Sequence, residues 1–208
     1  MSASLSKKLP NKYRNLINKY GQNLINKYLK ENYRPVSVLT ALSKVYEKVM
    51  YDQLYNTFCR HLSQNLSGFL KNHSCCTALL KMTEDWRRSL DKRESALAIA
   101  IDLSKAFDSI HHNLLLAKLK AYGLSSSALR LMSSYLLDRK QRVCLQGVCS
   151  SYAELKAGLP QGSLLGPLLF NIFINDLNYA VPDMSLRLYA NDTTLYGSDV
   201  SPIVLQFT

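Results

Sequence analysis

The sequence has no apolar run approaching the ~18–20 residues that a membrane-crossing helix needs. It also lacks a signal-peptide-like apolar stretch near its N-terminus, which argues against secretion. Cysteine is sparse and badly arranged for a disulfide framework. The five thiols are Cys59, Cys75, Cys76, Cys144 and Cys149, an odd number that includes an adjacent pair. A reducing compartment, cytoplasmic or nuclear, is therefore expected. Zinc spacing is missing too. Cys144 and Cys149 have no histidine beside them, and His73-x-Cys75-Cys76 has no second half. The first 30 residues contain no acid, yet they hold Lys7, Lys8, Lys12, Arg14, Lys19, Lys27 and Lys30. Arginine is outnumbered there by lysine and asparagine, which weakens a mitochondrial-presequence reading.

What is present is the make-up of a globular chain: 208 residues, 47% apolar and 20% charged. The formal net charge of +11 is concentrated in the acid-free leader, leaving +4 for residues 31–208. Such a leader suits a polyanion partner, and it equally suits a solvated tail. It contains a duplication, Asn15-Leu-Ile-Asn-Lys-Tyr20 and Asn23-Leu-Ile-Asn-Lys-Tyr28. Two short copies do not build a solenoid. Residues 1–30 are expected to pack weakly, and residues 31–208 to form the folded domain.

Beyond Asn32 the periodicity predicts a helix opened by Pro35 and Ser37, with Leu42, Val45, Tyr46, Val49, Met50 and Leu54 on its apolar side. A second helix after Ser74 would carry Leu79, Thr83, Trp86 and Leu90 on one face. Ser95 to Asp102 is a continuous apolar run ending in an acid, the pattern of a strand buried on both faces. Helices are predicted around Asn113–Tyr122, closed by Gly123, from near Ser125 to Leu137, and from Ser163 to Leu177. A hairpin is predicted over Arg142–Leu155. Near the end, Leu186, Leu188 and Ala190 alternate with Arg187 and Tyr189 into an Asn191-Asp192 turn. Helices and strands mix without regular βαβ alternation, which predicts an α+β fold.

Three segments carry chemistry: Ile101-Asp-Leu-Ser-Lys-Ala-Phe-Asp108, Leu159-Pro-Gln-Gly-Ser-Leu-Leu-Gly-Pro-Leu-Leu-Phe170 and Tyr189-Ala-Asn-Asp192. Asn32-Tyr-Arg-Pro-Val-Ser37, and Ser67-Gly-Phe-Leu70 with His73-Ser74, accompany them. Taken singly, Asp102 reads as a helix cap, Asp192 as a turn residue, Phe107 as core and Arg34 as surface. In this order, over residues 31–208, they resemble the reverse transcriptase domain of non-LTR retrotransposons, the long interspersed element type.

The resemblance implies fingers and palm of a right-hand polymerase, an RNA-directed DNA polymerase. It implies an RNA template, a DNA primer, deoxynucleoside triphosphates and Mg2+. Asp102 and Asp192 would be catalytic metal ligands, since magnesium prefers hard carboxylate oxygens. Arg34, Phe107, Gln161 and Gly162 would bind the nucleotide: a guanidinium on phosphate, a ring against the sugar, an amide on a base or sugar edge. Asp108 is expected to hydrogen-bond rather than to bind metal.

Three departures stand out. Asn191 replaces the family's first hairpin carboxylate, Leu70 stands where arginine is usual, and the thumb is expected to be missing. The expectation is a fragmentary, inactive polymerase domain. The alternatives are a catalytically dead nucleic-acid-binding remnant and, from another class, a helical scaffold.

Overall fold

The computed structural model describes residues 37–200 apart from 104, 143, 146 and 147, and within 143–149 only backbone pairing. The leader, Arg34 and most of Asn32–Ser37 lie outside the described residues. Helix α1 (Ala41–Phe58) is capped by Thr40, whose hydroxyl accepts from the Ser43 N–H. Helix α2 (Cys75–Asp91) opens with a reciprocal Ser74/Thr77 capping box. Strand β1 (Ser95–Asp102) follows, then α3 (His112–Ala121) and α4 (Ser126–Leu136). Gly123 adopts φ +89° just beyond α3. It supplies the left-handed exit that the sequence predicts there.

The predicted hairpin is two nested ladders. β2 (Lys140–Gln141) pairs with β5 (Ala153–Glu154), and β3 (Cys144–Leu145) with β4 (Val148–Cys149). Helix α5 (Gly166–Ile174) continues into a 3-10 helix, Asn175–Ala180. β6 (Ser185–Tyr189) and β7 (Asp192–Asp199) complete the chain of elements.

One antiparallel sheet has the order β1-β7-β6. Leu66 adds a parallel bridge to Leu188 in β6. Helix α5 is buried almost all round, with Leu168, Leu169, Phe170 and Ile172 in the core beside Leu115 and Leu119 of α3 and Met50, Leu54 and Phe58 of α1. Leu186 and Leu188 bring one face of β6 into the same core. Helix α2 covers the other face: its Asp85 meets Arg187 and Tyr196, and Trp86 packs edge-on against Tyr196 at 6.0 Å.

Three expectations are corrected. On α1, Leu42, Val45, Tyr46 and Val49 are exposed, Leu42 by 80%. Met50 and Leu54 are buried as predicted, in a stripe completed by Glu47 and Phe58. The helix docks by the side that brings the Glu47 carboxylate to two donors. On α2 the buried positions are Ala78 and Met82, with Asp85 behind them, while Leu79 and Leu90 are exposed. Ion pairing to Arg187 and the hydrogen bond to Tyr196 turn α2 by its Asp85 side toward the sheet. Strand β1 is not buried on both faces. It is an edge strand among the described residues, with only Leu97 and Ile99 half-buried. An all-apolar run cannot distinguish a central strand from an edge, because that depends on which strands arrive later in the chain.

Candidate active site

The hairpin between β6 and β7 is tight. Tyr189 pairs with Asp192, so the two turn residues are Ala190 and Asn191, one position earlier than predicted. Ala190 sits at φ +56°. A left-handed alanine costs about 1–2 kcal/mol, so the surroundings must hold it there. Gly68 does much of that: a Cβ at position 68 would lie 2.2 Å from the Ala190 nitrogen. The Ser67 N–H donates to the Leu188 carbonyl and the Asn171 amide to the Gly68 carbonyl, both at 2.8 Å. Ser67-Gly68-Phe69 thus buttresses the turn from beneath.

Asp102, the last residue of β1, is the direct cross-strand partner of Asp192, the first of β7. Cα atoms of such partners lie roughly 4.5–5.5 Å apart, so the two carboxylates are neighbours at one end of the sheet, as predicted. Asn191 reaches across the strands. Its Nδ2 donates to Asp102 Oδ1 at 2.9 Å, and its carbonyl accepts from the Leu103 N–H at 3.3 Å. Asp102 and Asp192 are exposed and Asn191 is half-buried.

The segment after β1 carries Phe107. Its ring stacks on Phe170 of α5 at 4.5 Å and meets Phe69 edge-on at 6.0 Å. It is half-buried, so one part of the ring belongs to the core. The Gly158–Gly162 loop closes on this segment. The Leu159 N–H donates to Phe107 O and the Gly158 N–H to Ile110 O, both at 2.8 Å. The Nε2–H of His112 donates to Gly158 O at 2.7 Å. Gly158 holds φ +90°, and a Cβ there would meet the Asp108 carbonyl at 2.9 Å. Gln161 Nε2 donates to Asp108 Oδ1 at 3.1 Å, the hydrogen-bonding role expected of Asp108. Gly162 is exposed, with φ +95°. Phe107 and Gln161 therefore sit on one pair of interlocked loops. Arg34 lies outside the described residues.

Two supports were not foreseen in the sequence. Glu47 is only 2% exposed. Its carboxylate accepts from the Leu164 N–H at 2.7 Å and from the Tyr135 hydroxyl at 2.9 Å, tying α1 and α4 to the loop before α5. Burial, with the acid as neighbour, pushes the Tyr135 phenol well above its ordinary range. The available signal was an acid in register with Met50, Leu54 and Phe58. Asn175 is the second. It accepts from the Ser63 N–H at 2.7 Å and donates to His61 O at 2.9 Å and to the Tyr122 hydroxyl at 2.7 Å.

The chain matches the family model described as reverse transcriptase (RNA-dependent DNA polymerase) over residues 17–205. The chain belongs to the reverse transcriptase family. It is 35% identical over 177 residues to the probable RNA-directed DNA polymerase from transposon BS of Drosophila melanogaster, covering 81% of this chain and 19% of that protein. It is 33% identical over 171 residues to the RNA-directed DNA polymerase from mobile element jockey of Drosophila funebris, with 78% and 19% covered. This reverse transcriptase domain thus spans about a fifth of the length of the curated relatives it matches. In fold it is similar to a telomerase from Candida tropicalis solved in complex with a TWJ fragment of telomeric RNA. The TM-score is 0.53 at 15% identity, covering 91% of this chain and 33% of the other.

Reverse transcriptases generally use divalent metal ions. A pair of such ions about 3.5–4 Å apart needs several anionic oxygens between them. Among the described residues no three His, Cys, Asp or Glu side chains come together. One Asp102 oxygen already accepts an amide N–H. The residues present do not fit a two-ion centre.

Proposed function

We propose that this reverse transcriptase domain comprises the fingers and palm of a right-hand polymerase and holds an RNA template with a DNA primer, but does not extend that primer. Residues 31–208 form the working unit in this reading. Phe107 bears on the sugar of an incoming deoxynucleoside triphosphate, Gln161 and Gly162 line its pocket, and Arg34 takes its phosphates. Asp102 and Asp192 stand at the reacting end. The hydrogen bond from Asn191 to Asp102 is the observation that carries the inactive reading. Two carboxylates with no cation between them repel. Here a neutral amide, which brings no negative charge, donates to Asp102, one of the two carboxylates that would hold such an ion. The developing charge of phosphoryl transfer would meet a depleted electrostatic environment. Loss of one such preorganised partner costs on the order of 10²–10³ in rate.

The test pairs primer extension with RNA binding, on the chain as it stands and on Asn191→Asp. Salt-dependent RNA binding without synthesis is expected. Robust magnesium-dependent synthesis by the unaltered chain would overturn the reading. Absence of binding at low salt would overturn the nucleic-acid part.

A further inference from the structure

His112 is the first residue of α3 and is only 4% exposed. A buried polar ring is costly unless its hydrogen bonds are met, so a histidine in this place calls for a reason. Its ring uses one nitrogen. Nε2 bonds the Gly158 carbonyl at 2.7 Å, and a carbonyl only accepts, so Nε2 carries a proton. Nδ1 is buried and has no partner among the described residues. The imidazole is thus kept for a single donor.

That donor meets a peptide group that is gripped at its other end as well. The Gly158 carbonyl and the Leu159 N–H belong to one peptide plane. The N–H end donates to Phe107 O at 2.8 Å, and His112 holds the carbonyl end. The plane needs holding, because Gly158 sits at φ +90° and glycine is the residue freest to change its backbone angles. Both residues assigned to the nucleotide hang on this junction. Phe107 supplies the acceptor for the Leu159 N–H. Gln161 lies on the same loop and donates to Asp108 Oδ1 at 3.1 Å. The Gln161–Asp108 bond is exposed, so water competes for it and it does not fix the loop by itself.

We infer that His112 is a positioning residue: by locking the Gly158–Leu159 peptide plane it sets Phe107 and Gln161 relative to each other. It acts through that peptide and touches no substrate itself. The inference deepens the reading of the cleft proposed above and rests on that reading for the pocket's ligand. Two substitutions separate the donor from the bulk of the ring. His112→Gln keeps an N–H at the ε position. His112→Met has similar reach and no donor.

The test is amide hydrogen exchange, resolved by residue with NMR, on the full chain without ligand and on both variants. In His112→Met the Leu159 N–H should exchange about ten- to a hundredfold faster, as the loss of one buried hydrogen bond allows. The ladder amides of β6 and β7 should keep their rates, and His112→Gln should restore most of the protection at Leu159. In the unaltered chain the nitrogen spectrum of the ring should place a proton on Nε2. A second arm measures deoxynucleoside triphosphate affinity with an RNA template and DNA primer bound. It should fall about tenfold in His112→Met, the equivalent of one ordinary hydrogen bond, and recover in His112→Gln. Faster exchange spread evenly over the sheet would make the role merely structural and overturn the inference. So would a Leu159 rate indifferent to His112→Met or unrepaired by His112→Gln, a ring proton on Nδ1 alone, or a measurable nucleotide affinity equal in all three chains. No nucleotide binding by the unaltered chain would overturn the reading of the cleft instead, while the exchange rates still decide on His112.

Discussion

Asn191 Nδ2 donates to Asp102 Oδ1 at 2.9 Å, where the resembled hairpin carries a carboxylate. Asn191→Asp places two carboxylates against each other with nothing between them. Its divalent-ion affinity should rise, seen as a melting temperature that climbs with added Mn2+ while the unaltered chain responds weakly. Equal response of both chains would refute this. Gly68 makes a sharper claim about structure. A methyl group there would overlap the Ala190 backbone at 2.2 Å, and backbone cannot rotate aside. Gly68→Ala should cost about 3 kcal/mol, the upper end for overpacking, read as a lower urea midpoint. An unchanged midpoint would mean that the turn is not seated on this glycine. Glu47 tests the buttress behind the Pro-Gln-Gly loop. Glu47→Ala leaves the Leu164 N–H and the Tyr135 hydroxyl without their acceptor, at about 1.5–3 kcal/mol per charged hydrogen bond. Glu47→Gln keeps one carbonyl acceptor and should lose less. If both variants melt alike, the carboxylate does not hold α1 to this loop.

The junction of α2 with β6 and β7 makes stability depend on pH at both extremes. Burial raises the Asp85 carboxyl, but the Tyr196 hydroxyl, Lys81 and Arg187 outweigh it and hold the group below its ordinary 3.8. A depressed acid contributes fully above its unfolded pKa and loses that contribution as pH falls through the folded value. Tyr196 is displaced the other way. Burial, then its hydrogen bond to Asp85, pushes the phenol from 10.0 up to about 12. Its contribution is complete below pH 10.0 and disappears as pH rises toward about 12. The melting temperature should therefore be flat at intermediate pH and fall in both acid and strong base. Tyr196→Phe should weaken the alkaline fall without abolishing it, because the half-buried Tyr135 phenol is raised as well. An alkaline arm identical in both chains would remove Tyr196 from this account. The same junction explains why the α2 periodicity misled: its docking side is ordered by Asp85, not by Leu79 and Leu90.

At the scale of the molecule, β1 has an open edge among the described residues. It is eight residues long, and Ser95–Ile101 holds no charge and no proline to discourage pairing with another chain. The described residues are expected to self-associate as concentration rises. Ala98→Lys, at an exposed position of β1, should reduce that association, measured by light scattering at matched concentrations. Unchanged scattering would place the sticky surface elsewhere. The exposed side of α1 (Leu42, Val45, Tyr46 and Val49) is then the next candidate.

The elements that local chemistry specifies were legible in the sequence. Gly123 ended α3, Ser125 began α4, the alternation of Leu186 and Leu188 fixed the buried face of β6, and an acid ended β1. The order of the short motifs carried the family, because each motif needs its residue types at fixed spacing whatever the rest of the chain does. Four things waited for the tertiary structure: the seating of Ala190 on Gly68, the buried Glu47, the edge position of β1, and the amide that meets Asp102. Each joins residues remote in sequence, 122 positions apart for Gly68 and Ala190. Periodicity reports which side of an element is apolar. It does not report which partner arrives, nor whether one buried hydrogen bond will turn a helix away from its own apolar face.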